Sequence, residues 1–134
     1  MKNTVRNIII GSCVAFSTSV SMSATLTADT ANKMMMKSGC ATCHSLDKMK
    51  IGPAYKEVAK RYSNLSPETL AYLKGEKPFD YLMKKVRTGT KIGVNKNWTK
   101  SPEGKAYGMM TPNPPTRISD ADLKDLLTYI LSLK

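Results

Sequence analysis

The chain has 134 residues, with 21 Lys and Arg against 10 Asp and Glu, a formal net charge of +11 at neutral pH. That length allows one domain at most and excludes a multidomain enzyme. So positive a balance points to an acidic partner, an anionic membrane face or nucleic acid, with much of the charge simply solvated helix face.

The N-terminus reads "MKNTVRNIIIGSCVAFSTSVSMSATLTADT". Lys2 and Arg6 precede an uncharged apolar run from Asn7 to Val20, and Ser21, Ser23 and Ala24 offer small residues for cleavage. That is the layout of a secretory signal peptide, which places a mature domain at 25–134 and the protein in the periplasm. The run is too short and serine-rich for a membrane span. "IGSC" at Ile10 to Cys13 also resembles a lipobox, in which Cys13 would carry a lipid anchor. The apolar stretch before it is shorter than the about 7–15 residues of a signal core. Removing residues 1–24 leaves 19 basic and 10 acidic side chains, a net charge of +9. Export makes nucleic acid the weakest of the three partners.

The mature chain reads as short helices divided by Pro and Gly, with no repeat and no convincing alternating strand. Thr27 or Asp29 can cap a first helix reaching about Gly39, with Ala31, Met35 and Gly39 on one face. Pro53 is placed as the first residue of a second helix carrying Tyr55, Val58, Ala59 and Tyr62. Ser66-Pro67-Glu68 opens a third, with Leu70 and Leu73, stopped by Gly75. Pro78 starts a fourth, with Phe79, Leu82, Met83 and Val86 in helical register and Gly89 as its stop. Thr90 to Arg117 is irregular, and a loop of that length in a small domain is functional or disordered. Ser119 and Asp122 resemble a capping box ahead of the stripe Leu123, Leu126, Leu127 and Ile130. Such narrow stripes leave a small domain marginal unless a large buried group supplements the core.

"SGCATCHSLDKMKIGP", Ser38 to Pro53, holds the only histidine of the chain, His44. Cys40-Ala41-Thr42-Cys43-His44 fits C-x-x-C-H, the attachment signature of c-type haem. Two thiols at that spacing add to the two vinyl groups on one porphyrin edge, and the adjoining imidazole is carried beneath the ring to the iron. A thioredoxin-like pair needs a preceding strand, which is missing. A structural zinc site needs four ligands, and the mature chain has only three Cys and His residues. A disulfide closing so short a loop would constrain the unfolded chain little.

On these residues the sequence resembles the small bacterial class I cytochromes c, short-chain carriers with one haem. The resemblance is strongest over "MMMKSGCATCHSLDKMKIGPAYKEVAKRY", Met34 to Tyr62, and resumes at Trp98 and from Met109 to the C-terminus. It implies an all-α fold of about five short helices wrapped around one covalently attached haem c, with the first and last helices crossing. Cys40 and Cys43 would form the thioethers, and His44 the proximal ligand. The Pro53 carbonyl would accept a hydrogen bond from the other ring nitrogen, a contact that fixes ring orientation and raises ligand basicity. Gly39 would let the first helix approach the last near Tyr129 and Ile130. Trp98 would donate to a haem propionate.

The sixth iron ligand has nine methionines to come from. Thioether ligation is common among cytochromes c and raises the potential. Met1 and Met22 leave with the signal; Met34, Met35 and Met36 fall in the first helix and Met83 in an amphipathic stripe, where a methionine is more often core filling than a ligand. Met49 follows His44 too closely to reach the opposite face. Met109 and Met110 remain, in "YGMMTPNPP", beside prolines that favour an extended segment. Neighbouring side chains of an extended chain point oppositely, so one of the two faces iron. The family pattern Met-Pro-Pro-Asn matches Met110-Thr-Pro-Asn with a departure at Thr111, which selects Met110 and keeps Met109 as second choice. Asn113 would hydrogen-bond near the sulfur.

With both axial positions filled, the expected role is not enzymatic. It is outer-sphere, one-electron transfer between redox proteins with acidic docking surfaces, steered by lysines such as Lys48, Lys50 and Lys96. The chain would act as a monomer or as a dedicated electron-accepting subunit of a periplasmic dehydrogenase, for example a sulfite-oxidising one. The more distant alternative is a five-coordinate gas-binding haem protein. A single C-x-x-C-H excludes a di-haem peroxidase.

Overall fold

The computed structural model describes residues 25–90 and 106–134. Residues 1–24, where the sequence predicts a signal segment and where Cys13 falls, and Lys96 and Trp98 lie outside the described residues. The described chain forms six helices in the order α1 (Ala28–Lys37), α2 (Cys40–Cys43), α3 (Tyr55–Ser63), α4 (Pro67–Leu73), α5 (Pro78–Thr88) and α6 (Asp120–Ser132). The fold is all-α, and α2 is a turn that the sequence reading did not separate from the motif. No described helix is long and apolar enough to cross a membrane.

Three of the helices start where side chains can cap them. Thr27 Oγ1 accepts from the Thr30 N–H at 3.3 Å, Ser66 Oγ from Thr69 at 3.1 Å, and Ser119 Oγ from Asp122 at 3.1 Å. Each satisfies an N–H that the first turn leaves unpaired. Pro67 and Pro78 occupy first-turn positions, where a missing N–H costs nothing. Helix α4 ends on Lys74 in the left-handed region, at φ 48°, and α5 ends on Gly89, at φ 69°.

Helix α6 is the centre of the packing, lying against α3 most extensively and also against α5 and α1. Its stripe of Leu123, Leu126, Leu127 and Ile130 is buried with Ala31 and Met35 of α1 and Tyr55, Val58 and Tyr62 of α3. Leu123 and Leu126 are the largest fully buried side chains. On α5 the buried residue is Tyr81, its ring tilted against that of Tyr62 at 6.2 Å. Phe79, Leu82, Met83 and Val86 are only partly buried along the edge of this cluster.

Two local expectations are corrected. Helix α3 begins at Tyr55 with Ala54 as its cap, so Pro53 stands outside it. Its carbonyl thereby stays out of the helical ladder and is available to another donor. Of the two leucines of α4, Leu73 is buried and Leu70 exposed, since so short a helix turns only one face inward. A Cβ at Gly39 would meet nothing within 4 Å, so that glycine does not serve a close helix approach. It stands at φ 77°, a left-handed conformation that lets the chain leave α1 and turn at once into α2.

Candidate functional site

Gly39 in its left-handed conformation sets Cys40 and Cys43 at the two ends of α2, one helical turn apart. Both thiols are free and half-buried. His44 follows in extended conformation, at φ −123° and ψ 152°, while its N–H still donates to the Cys40 carbonyl at 3.0 Å. The ring therefore leaves the helix axis directly after the second thiol.

Three contacts fix that ring. Its Nδ1 lies 2.8 Å from the Pro53 carbonyl, the bond expected from the sequence. Since a carbonyl only accepts, Nδ1 carries the proton and Nε2 is left as the lone-pair nitrogen. Tyr55 stacks on the ring at 5.2 Å between centroids and 21° between planes. Gly52 supplies the third contact, because a Cβ there would sit 2.5 Å from His44 Cε1. The Gly52 N–H donates to the Cys43 carbonyl at 2.9 Å, closing the loop back onto the motif. Burial lowers the His44 pKa, opposed by the smaller effect of the Pro53 bond, and so favours the neutral, ligating imidazole. Burial also raises the Tyr55 hydroxyl pKa far above its ordinary value, with smaller contributions from Cys40 and Cys43.

Met109 and Met110 differ in exposure. Met109 is 51% exposed, and Met110 is half-buried. Met110 is held by its backbone: its N–H donates to Thr90 Oγ1 at 3.0 Å, and its carbonyl accepts from the Thr90 N–H at 2.8 Å. Gly89 makes this approach possible, since a Cβ there would lie 2.5 Å from the Met110 carbonyl and 2.8 Å from the Pro112 nitrogen. Upstream, the Gly108 N–H donates to the Ile51 carbonyl at 2.7 Å and the Tyr107 hydroxyl to Glu57 of α3.

Asn113 joins this segment to the cysteine motif. Its Nδ2 lies 3.7 Å from Cys40 Sγ, which also receives Ser38 Oγ at 3.1 Å, and its buried Oδ1 has no partner. Lys48 and Lys50 are exposed, and Lys50 Nζ is drawn back onto the Ala41 carbonyl at 2.7 Å. Gly52, Tyr55, Gly89 and Thr90 were missed as site residues. Gly89 was legible only as a helix stop, and nothing local marks Thr90 as the partner of Met110.

The donor set fits a haem better than a bare ion. Among the described residues no three His, Cys, Asp or Glu side chains converge to hold a metal. What is present is a pair of unpaired thiols on one turn and one oriented imidazole, the groups that covalent attachment and single axial ligation require.

Comparison with known proteins agrees. The family model described as Cytochrome c matches residues 28–134. The chain is 38% identical over 100 residues to cytochrome c2 of Rubrivivax gelatinosus, covering 74% of this chain and 92% of that one. It is 32% identical over 105 residues to cytochrome c-552 of Hydrogenobacter thermophilus, covering 78% and 83%. The crystal structure of wild-type Nitrosomonas europaea cytochrome c552 superposes with a TM-score of 0.52 at 29% identity, over 77% of this chain and 99% of that one. Its cofactor is accordingly one covalently attached haem c with its iron. The fold, the attachment motif and these relatives together make the chain a member of the cytochrome c family, of the small bacterial class I type with a single haem.

Proposed function

We propose that the protein is a one-electron carrier in which His44 and Met110 would be the protein ligands of the haem iron. The haem supplies a ferric/ferrous couple. The chain's own residues do the rest. Cys40 and Cys43 tether the group through thioethers, and the Pro53 carbonyl holds the His44 ring with Nε2 directed to the metal. Met110 would supply a neutral thioether to the iron, leaving no ligand position there for a substrate. Transfer is then outer-sphere, and no protein group gains or loses a bond. Asn113 is assigned to the haem surroundings through its contact with Cys40 Sγ, and Trp98 to a propionate on resemblance alone. The carrier works in the periplasm after residues 1–24 are removed, as a monomer or within a redox complex, with partners whose docking surfaces are acidic.

The observation that carries this reading is the His44 Nδ1–Pro53 bond at 2.8 Å, formed directly beside two free thiols on one helical turn. The test is the visible spectrum of the oxidised protein. A low-spin ferric haem with the weak far-red thioether-to-iron band is expected. Met110→Ala abolishes that band and Met109→Ala keeps it. A high-spin spectrum that shifts readily with carbon monoxide on reduction would overturn the carrier reading.

A further inference from the structure

The segment that follows Met110 is caught on both sides of one residue by the last turn of α5. The Asn113 N–H donates to the Val86 carbonyl at 2.9 Å, and the Asn113 carbonyl accepts from Arg87 Nη1 at 2.7 Å. The other edge of the same guanidinium grips Asp120, the first residue of α6, with Nε 3.2 Å from Oδ1 and Nη2 on the same oxygen. Arg87 is largely covered, its side chain 18% exposed, whereas Lys33–Asp29 and Lys56–Asp47 are ordinary surface pairs. One side chain thus ties together α5, the methionine segment and the start of α6.

We propose that Arg87 is a positioning residue for Met110, and that the Arg87–Asn113 bond sets how firmly the thioether is presented to iron. The proposal rests on the assignment of Met110 as the ligand. Thr90 fixes the Met110 backbone through two hydrogen bonds, and three residues on the Arg87 bond to the Asn113 carbonyl adds a side-chain restraint to the Asn113 N–H bond with Val86. Pro112 stiffens the chain between Met110 and Asn113, so a restraint at Asn113 is transmitted back to Met110. The planar guanidinium donates along two edges at once, and a lysine ammonium is a point charge that cannot reproduce that fork.

The test uses the haem-loaded ferric protein and imidazole as a competing axial ligand, followed at the far-red band. Arg87→Gln raises the apparent imidazole affinity about tenfold, the effect expected when a charged hydrogen bond to a part-buried carbonyl is lost. Arg87→Lys gives a smaller rise in the same direction. Asp120→Asn stays within about twofold of the parent protein, because the Asn113 bond survives. If Met110→Ala abolishes the band while both Arg87 variants bind imidazole like the parent, the positioning role is wrong and the ligand assignment stands. If Met110→Ala keeps the band, the ligand assignment fails and this proposal with it. A rise in Asp120→Asn as large as in Arg87→Gln also overturns the proposal, because the effect then belongs to the ion pair. Should Arg87→Gln not take up haem, Arg87→Lys decides alone, and parent-like affinity there refutes the role.

Discussion

The imidazole of His44 occupies the space that a Cβ at Gly52 would need, with Cε1 2.5 Å from that position. Gly52 and Pro53 therefore act on the ring together, one by leaving room and the other through its carbonyl at 2.8 Å. Only a glycine lets the loop pass this close while its N–H still reaches the Cys43 carbonyl.

Gly52→Ala tests that relationship. The added methyl must push the ring or the loop aside, at a cost of about 1–3 kcal/mol for overpacking. The expected outcome is a lower denaturation midpoint of the haem-loaded protein, with altered histidine proton shifts in the paramagnetic NMR spectrum. Unchanged shifts would mean that the loop yields and the ring does not.

The Thr90–Met110 contact separates a backbone effect from a side-chain effect. Thr90→Val keeps the N–H that donates to the Met110 carbonyl and removes the Oγ1 that accepts from the Met110 N–H. Leaving that part-buried N–H without its acceptor costs about 1–3 kcal/mol. Hydrogen exchange should show it directly, as faster exchange of the Met110 amide with little change at Leu126. Gly89→Ala is the harsher companion, since the left-handed φ of 69° and the 2.5 Å approach to the Met110 carbonyl both oppose a side chain. It is expected to weaken the far-red band.

Core and surface methionine and leucine positions should differ sharply. Leu126→Ala removes a fully buried side chain at the centre of the α6 packing and is expected to cost about 2–5 kcal/mol in urea unfolding. Met36→Ala, at a position 72% exposed, should fall within about 0.5 kcal/mol of the parent. Comparable losses at both sites would contradict the packing around α6.

Lys74 offers a gain. It closes α4 at φ 48°, a region costing an L-residue about 1–2 kcal/mol. Lys74→Gly relieves that strain against a smaller entropy loss in the unfolded chain, for a net stabilisation of about 0.5 kcal/mol. The urea midpoint should rise slightly, with no change in the haem spectrum. A fall would mean that the Lys74 side chain contributes more than its backbone costs.

The sequence by itself determined whatever depends on neighbours along the chain. Ser66 and Ser119 were legible as helix starts, and Thr27 as one of two candidate caps beside Asp29, because a cap acts within its own turn. Cys40, Cys43 and His44 were legible because covalent attachment demands that spacing. The apolar stripe of α6 was legible because helical periodicity repeats every few residues. Where the reading failed locally, two local options competed: Pro53 fits a first helical turn as well as the position before one, and Gly39 fits a close helix approach as well as a left-handed turn. Only the tertiary structure decided what distant segments do to each other. It set Gly52 under the His44 ring, hung Met110 on Thr90, and joined Arg87 to Asn113 and Asp120 across three elements. Those contacts need backbone approach at distances that no periodicity encodes, and they exist only once α3, α5 and α6 have packed.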